Sequence, residues 1–156
     1  MKILKLKPLE LPEKWYDEQR PGFCSKNKFR YSSYHLTDEV SELVQNIFPT
    51  GFFDKGRVGV MAQKIEHGFN GDIHKDTSRL LSLNYMIDKG GNDAHLELYD
   101  ENKTLQSTYC QQVGTWCVLE TQKFHAVRNV ETPRLSITVQ FFEIEQEQLD
   151  WINAQV

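Results

Sequence analysis

Hydrophobic positions recur with a helical period in one short segment of this chain. Within residues 37–48, TDEVSELVQNIF, the apolar side chains lie three and four residues apart, at Val40, Leu43, Val44, Ile47 and Phe48. This spacing predicts an amphipathic helix with a single buried stripe. Thr37 or Asp38 can cap its start, and Pro49 and Gly51 end it.

From Arg57 onward the period changes to two, and glycines separate short segments of β-rich composition. The candidate strands are Val58–Ile65, Asp72–Asp76, Leu80–Ile87, His95–Tyr99, Thr108–Val113, Thr115–Leu119, His125–Val130 and Arg134–Ile144. Eight short strands predict an all-β core, as in a sandwich, jelly roll or barrel. The tail, EQEQLDWINAQV, predicts a short closing helix. The first 36 residues hold three prolines and many aromatics, which predicts an irregular segment, either a wrapping arm or a lid.

Length and charge narrow the classes of function. The 156 residues predict one domain, with an arm and helix over 1–56 and a β core over 57–144. A net charge of -4 argues against a nucleic-acid partner. No apolar run reaches the about 20 residues of a membrane span, so no membrane association is expected. Three cysteines without metal-site spacing read as reduced thiols, which predicts a cytoplasmic protein.

Candidate metal ligands lie on two of the predicted strands. His74 and Asp76 are two residues apart, so on a strand both side chains leave the same face. This spacing alone is a weak signal and also fits a surface pair. With His125, 49 residues downstream, the set becomes two imidazoles and one carboxylate, the ligand set of non-haem Fe(II) oxygenases. Zinc enzymes also use two histidines and an acid, so the ligands leave the metal open.

A candidate anion receptor lies at the start of the last long strand. Arg134 and Ser136 share one face, which continues as Thr138 and Gln140, while the residues between them are apolar. A polar face inside a jelly roll costs free energy unless it lines a pocket. An Arg beside a hydroxyl suits a carboxylate, because bidentate charge-assisted bonds are strong. An exposed sheet face with an ordinary surface arginine is the alternative.

These residues together resemble a known family. HKD at 74–76, FHAVRNVETPR at 124–134 and RLS at 134–136 are similar to motifs of the Fe(II)- and 2-oxoglutarate-dependent dioxygenases, most closely the prolyl-hydroxylase-like branch. LNYMIDKGGNDAHLELYD and VGTWCVLETQKFHAV resemble the segments between that branch's motifs. The resemblance covers residues 57–142. Gln63 and Lys64 depart from it, because the branch often has a tyrosine on this strand.

The resemblance implies a fold, cofactors and roles. The fold is a double-stranded β-helix, a jelly roll with an N-terminal packing helix and a short C-terminal helix. The metal ligands of Fe(II) are His74, Asp76 and His125, and they form the catalytic centre. The co-substrate 2-oxoglutarate is bound by Arg134, Ser136 and Tyr85. With O2 the enzyme hydroxylates an unactivated C–H and releases succinate and CO2; ascorbate is a candidate stimulant.

The resemblance also implies a substrate class, and a second hypothesis for the function stays open. The expected substrate is a peptidyl residue, prolyl or similar, in a peptide or protein, or a free amino acid. Related halogenases have a small residue where Asp76 stands, so hydroxylation is favoured. The alternative is a cupin-like jelly roll that binds a metal or small ligand without oxygenase activity. The candidate substrate side is the aromatic and basic arm, at Trp15, Arg20, Phe23, Arg30 and Tyr31.

Overall fold

The computed structural model describes residues 1–22 and 31–156. Cys24, Phe23 and Arg30 lie outside the described residues. The strands are β1 (Lys2–Leu4), β2 (Tyr16–Pro21), β3 (Tyr31–Leu36), β4 (Arg57–Ile65), β5 (Leu81–Asp88), β6 (His95–Tyr99), β7 (Leu105–Tyr109), β8 (Trp116–Leu119), β9 (His125–Arg128) and β10 (Arg134–Glu143). The helices are α1 (Asp38–Gln45) and α2 (Gln146–Ala154), with a 3-10 turn at Phe52–Asp54.

The strands form two antiparallel sheets. The larger sheet has seven strands in the order β1-β8-β5-β10-β4-β3-β2, and the smaller has three in the order β7-β6-β9. Strand β10 lies at the centre of the larger sheet, between β5 and β4. The fold is a double-stranded β-helix with two helices packed outside it, which confirms the fold class predicted from the sequence.

The main hydrophobic core lies on the outer face of the larger sheet. Ile137, Val139 and Phe141 of β10 pack there against both helices, and all three are fully buried. Helix α1 contributes Val40 and Val44, two residues of the predicted stripe. Residues that alternate with these along β10 therefore face the other way, toward the smaller sheet.

A smaller apolar cluster joins the inner faces of the two sheets. Ile65 at the end of β4 packs with Val127 of β9, and Ala94 and Val130 complete the contact. Ile65 is also the register partner of Arg134 on β10. Partners across antiparallel strands share a face, so the start of β10 directs its polar side chains into the space between the sheets.

Several boundaries differ from the predicted ones. The first 36 residues contain β1, β2 and β3, so the prediction of an irregular segment was wrong there. Pro21 is compatible with a strand because β2 is an edge strand, where a missing N–H costs no ladder bond. Residues 72–76 form no strand, only an isolated bridge between His74 and His125. In the described ranges, 1–22 and 31–156, no helix has the length and apolarity needed to cross a membrane.

Candidate metal centre and anion site

His74 and Asp76 are positioned by a segment that runs beside β9. Residues 68–76 are held to β9 and to the residues on either side of it by single backbone bonds rather than a full ladder. The amides and carbonyls of His74 and His125 bond each other reciprocally at 3.1 and 2.9 Å. The Asp76 amide donates to the Thr121 carbonyl at 2.9 Å. These bonds bring residues 49 positions apart in the sequence into direct contact.

The three candidate ligands converge on one point. The Nε2 atoms of His74 and His125 lie 3.5 and 3.6 Å from Oδ1 of Asp76. Both distances fall within the about 4.2 Å that two ligands, each about 2.1 Å from one ion, can span. One ligand atom from each residue lies within 4.8 Å of the others. The arrangement can therefore hold a single metal ion between two imidazoles and a carboxylate.

Backbone carbonyls fix the orientation of both imidazoles. Nδ1 of His74 bonds the Asp72 carbonyl at 2.8 Å, and Nδ1 of His125 bonds the Lys123 carbonyl at the same distance. Because the carbonyls hold each Nδ1, each Nε2 is directed toward Asp76. Orienting bonds of this kind are typical of metal-binding histidines.

Arg79 holds the second oxygen of the candidate carboxylate ligand. Its Nε donates to Oδ2 of Asp76 at 2.5 Å, which leaves Oδ1 directed toward the histidines. Burial opposes ionisation of Asp76, but its bond to His74 and the nearby Arg79 guanidinium lower the carboxyl pKa. The Asp76 bond raises the pKa of His74, and burial lowers the pKa of His125. The cluster thus contains an ionised carboxylate and one deeply buried imidazole, His125.

Arg134 lies inside the double-stranded β-helix as a cation that has no carboxylate partner in the part of the chain that the structure describes. Its side chain is 8% exposed, and burial lowers its pKa. Among the described residues it makes one hydrogen bond, from NH1 to the Lys89 carbonyl at 2.9 Å, and no ion pair. A buried charge is costly unless it is paired. The position therefore favours binding of an anion.

Beyond Arg134, the residues of β10 on the inner face are polar and uncharged. Ser136 and Thr138 follow on β10, and both are buried. Gln63 of β4 is the register partner of Ser136, and its amide donates to the hydroxyl of Tyr31 on β3. The sequence pointed to Tyr31 only as part of the arm and to Gln63 only as a departure from the family. Their shared inner face follows from the β3–β4 register, which the sequence pattern did not predict.

Tyr85 does not lie beside Arg134 and Ser136. It is the register partner of Ile137 and packs with Trp116 in the outer core. Its hydroxyl bonds the amide and carbonyl of Leu9, at 3.1 and 3.3 Å. The assignment of Tyr85 to the co-substrate is therefore corrected. On the inner face, the β5 partners of Thr138 and Ser136 are Asn84 and Met86.

The candidate substrate arm divides between the two faces. Trp15 is buried in the outer core and cannot contact the metal ligands from there, while Arg20 is exposed on the edge strand β2. The segment from Lys5 to Trp15 packs on the outer face, as a wrapping arm does. Tyr31 lies on the inner side, packed against the Ile65 cluster.

Comparisons with known proteins agree with the fold. No known family model matches the chain, and no curated protein matches it. Ectoine synthase from P. lautus superimposes with a TM-score of 0.50 at 12% identity, over 91% of this chain and 83% of that one. A Pseudomonas putida prolyl-4-hydroxylase gives 0.48 at 15%, over 87% and 76%. A 2OG-Fe(II) oxygenase family oxidoreductase from Burkholderia pseudomallei gives 0.46 at 12%, over 67% and 52%. The chain thus spans about half of that last protein. At such identities the likeness concerns the fold alone.

Proposed function

We propose that this chain is an Fe(II)- and 2-oxoglutarate-dependent dioxygenase that hydroxylates an unactivated C–H bond. One observation carries the proposal. The space between the sheets contains a convergent His74–Asp76–His125 cluster and, on the facing sheet, the buried cation of Arg134, which pairs with no carboxylate in residues 1–22 and 31–156. A metal site and an anion site inside one small double-stranded β-helix fit a co-substrate that binds both.

The donor set fits Fe(II). Two neutral imidazoles and one carboxylate occupy one side of an octahedral ion and leave the remaining positions for a chelating co-substrate and O2. His74, Asp76 and His125 would hold the ion, which supplies the oxidising chemistry when it is bound. Arg79 keeps Asp76 ionised and turned toward the ion, since it binds only the second carboxylate oxygen.

The anion site fits a dicarboxylate. Arg134 and Ser136 would receive the carboxylate far from the metal, while the 2-oxo acid end would reach the metal. The Lys89 carbonyl fixes the guanidinium by accepting from NH1. Charge-assisted bonds from an arginine fork give this contact both strength and direction. The products would be succinate, CO2 and a hydroxylated substrate.

The substrate is a peptidyl residue, prolyl or similar, or a free amino acid. Asp76 occupies the position that a halide would need, which favours hydroxylation. Gln63 and Tyr31 form an uncharged polar pair on the inner face beside Ser136 and are candidates for contacting the substrate. The activity belongs to one domain. The β core holds the site, and the arm and the helices pack on its outer face.

The direct test is formation of succinate. Purified protein is given Fe(II), O2, 2-oxoglutarate and ascorbate, with a panel of amino acids and proline-containing peptides. Succinate that depends on iron and rises with one panel member supports the proposal and identifies the substrate class. No succinate above the level of the His74→Ala variant, with any panel member, contradicts it.

A cupin-like metal or small-ligand binding protein is the second candidate. Two histidines and an acid also serve metals that perform no oxidation, and His74 is about half exposed. Binding of 2-oxoglutarate in the presence of Mn(II) separates the two candidates. An oxygenase binds it under these conditions, whereas a cupin-like protein takes up the metal and leaves 2-oxoglutarate in solution.

A further inference from the structure

Thr138 carries a buried hydroxyl that nothing in the described part of the chain satisfies. Its side chain is fully buried on β10, and its Oγ1 has no hydrogen-bond partner among residues 1–22 and 31–156. Buried hydroxyls in folded proteins are almost always bonded, because an unmade bond costs free energy. This exception makes the Thr138 hydroxyl a candidate contact for a bound ligand.

The neighbours of Thr138 explain why its hydroxyl is unpaired. Its register partners are Met61 on β4 and Asn84 on β5. A thioether is only a weak acceptor. The Asn84 amide donates to Ser82 Oγ at 3.2 Å instead of turning toward Thr138. Neither register partner bonds the hydroxyl, which shares the inner face with Arg134 and Ser136.

The chain path places Thr138 on the metal side of the anion site. Strand β9 belongs to the smaller sheet and β10 to the larger, and the chain turns back between them over residues 129–133. His125 lies four residues before this turn, and Thr138 lies five residues after it. Arg134, in contrast, lies directly after the turn. A ligand anchored at Arg134 and reaching toward His125 therefore passes along Ser136 to Thr138.

We propose that the Thr138 hydroxyl is a third polar contact for the dicarboxylate, at the end of the ligand that lies nearer to His125. This inference rests on the proposed function. Arg134 and Ser136 bind the far carboxylate, and Thr138 donates to an oxygen of the 2-oxo acid end. The hydroxyl is kept unpaired in the free protein and is satisfied in the complex. Thr138 consequently selects ligands that have an acceptor at that distance from the far carboxylate.

Replacement of Thr138 distinguishes a ligand contact from a purely structural role. Thr138→Val keeps the shape of the side chain and removes the hydroxyl. In the ligand-free protein it removes an unsatisfied group, so the Tm is expected to rise by about 2–4 °C. In the Mn(II) form it removes a bond to a charged ligand, so the Kd for 2-oxoglutarate is expected to rise about tenfold. Stability and affinity therefore change in opposite directions.

Two further variants make the test decisive. Thr138→Ser retains the hydroxyl and is expected to keep the Kd within about threefold of the wild-type value. Thr121→Val is the matched control, because Thr121 is equally buried but its hydroxyl donates to the Arg79 carbonyl at 2.5 Å. Loss of that bond is expected to lower the ligand-free Tm. Thermal unfolding and calorimetric titration with 2-oxoglutarate are measured for all four proteins.

The outcomes separate this inference from the proposed function. If wild-type protein with Mn(II) binds 2-oxoglutarate and Thr138→Val binds it equally well, the inference is overturned and the proposed function stands. A lower ligand-free Tm in Thr138→Val, or its failure to fold, overturns the inference as well. An equal loss of affinity in Thr138→Ser assigns the effect to packing and also overturns it. If wild-type protein binds no 2-oxoglutarate, the proposed function fails and this inference with it.

Discussion

The two faces of the larger sheet are built from alternate residues of the same strands, yet their side chains meet opposite demands. On β10, Ile137, Val139 and Phe141 enter a closely packed apolar core under the helices. Alternating with them, Ser136 and Thr138 face the smaller sheet, and the Thr138 hydroxyl has no hydrogen-bond partner among the described residues. Burial of the first set stabilises the fold, whereas burial of the second opposes it. Stability and chemistry can therefore be altered separately by substitutions one residue apart.

The largest expected effect comes from an inner residue. His74→Ala removes one of three candidate ligands, so metal affinity is expected to fall by more than about 100-fold and iron-dependent turnover to vanish. His74 is about half exposed, so the metal-free Tm should stay within a few degrees of the wild-type value. Metal titration, succinate assay and thermal unfolding measure these quantities.

The matched control for this change is His95→Ala. His95 lies on the smaller sheet, bonded to Glu97 rather than to the candidate ligands, and its removal should leave metal affinity unchanged. Equal metal binding by His74→Ala and the wild type would contradict the proposed metal site.

The next effect tests the outer face. Phe141→Ala leaves a cavity in the main core and is expected to cost about 3–5 kcal/mol of unfolding free energy. The fraction that remains folded should bind metal with wild-type affinity. Phe142→Ala, at the next residue, removes a ring that is only partly buried, so a smaller loss is expected. Denaturant unfolding compares the two variants, and an equal cost would mean that the outer face does not dominate stability.

The two faces of the larger sheet could be predicted in part from the sequence. The alternation along β10 predicted one polar and one apolar face, and the 3.6-residue period predicted α1. The helix ends at Gln45 rather than Phe48 because the amides of Ile47 and Phe48 bond carbonyls three residues back, which tightens the last turn. The apolar stripe continues through that turn, so periodicity could not distinguish it from the helix.

The remaining features of the site depend on strand register, which cannot be derived from the periodicity of the sequence. Asn84 and Tyr85 are neighbours with polar tips, and only the pairing of β5 with β10 decides which of them faces inward. A shift of one residue exchanges the two faces, which is why the assignment of Tyr85 was wrong. The strands of the first 36 residues were missed for a similar reason, since Pro21 signals a break but is tolerated at a sheet edge.

A smaller effect is expected at the anion site. Arg134→Met removes the buried cation and is expected to raise the KM for 2-oxoglutarate about 100-fold, while metal affinity stays unchanged. The ligand-free Tm should not fall, because the arginine has no carboxylate partner among the described residues. Arg57→Met is the control, since Arg57 is exposed over the Phe142 ring. A KM that matches the wild-type value would exclude Arg134 as the carboxylate receptor.

The smallest expected effect concerns a polar network on the smaller sheet, away from the proposed chemistry. Burial opposes ionisation of Glu97, but hydrogen bonds from Tyr99, His95 and Arg128 outweigh it and lower the carboxyl pKa to about 2. A pKa depressed on folding gives stability that is fully present above the unfolded pKa, near 4.5, and is lost as the pH falls toward 2. The contribution should be about 1 kcal/mol, because water screens charges near the surface.

Glu97→Gln tests this contribution without touching the candidate ligands. The variant should be less stable than the wild type at pH 6, and the difference should shrink as the pH falls from about 4.5 to about 2, because protonation of Glu97 then removes the same interaction from the wild type. Denaturant unfolding across this pH range measures the difference. Metal affinity at pH 7 is expected to be the same in both proteins. A difference in stability that stays constant down to pH 2 would mean that the network stabilises through shape rather than charge. In that case the smaller sheet would be stabilised by packing, as the outer face of the larger sheet is.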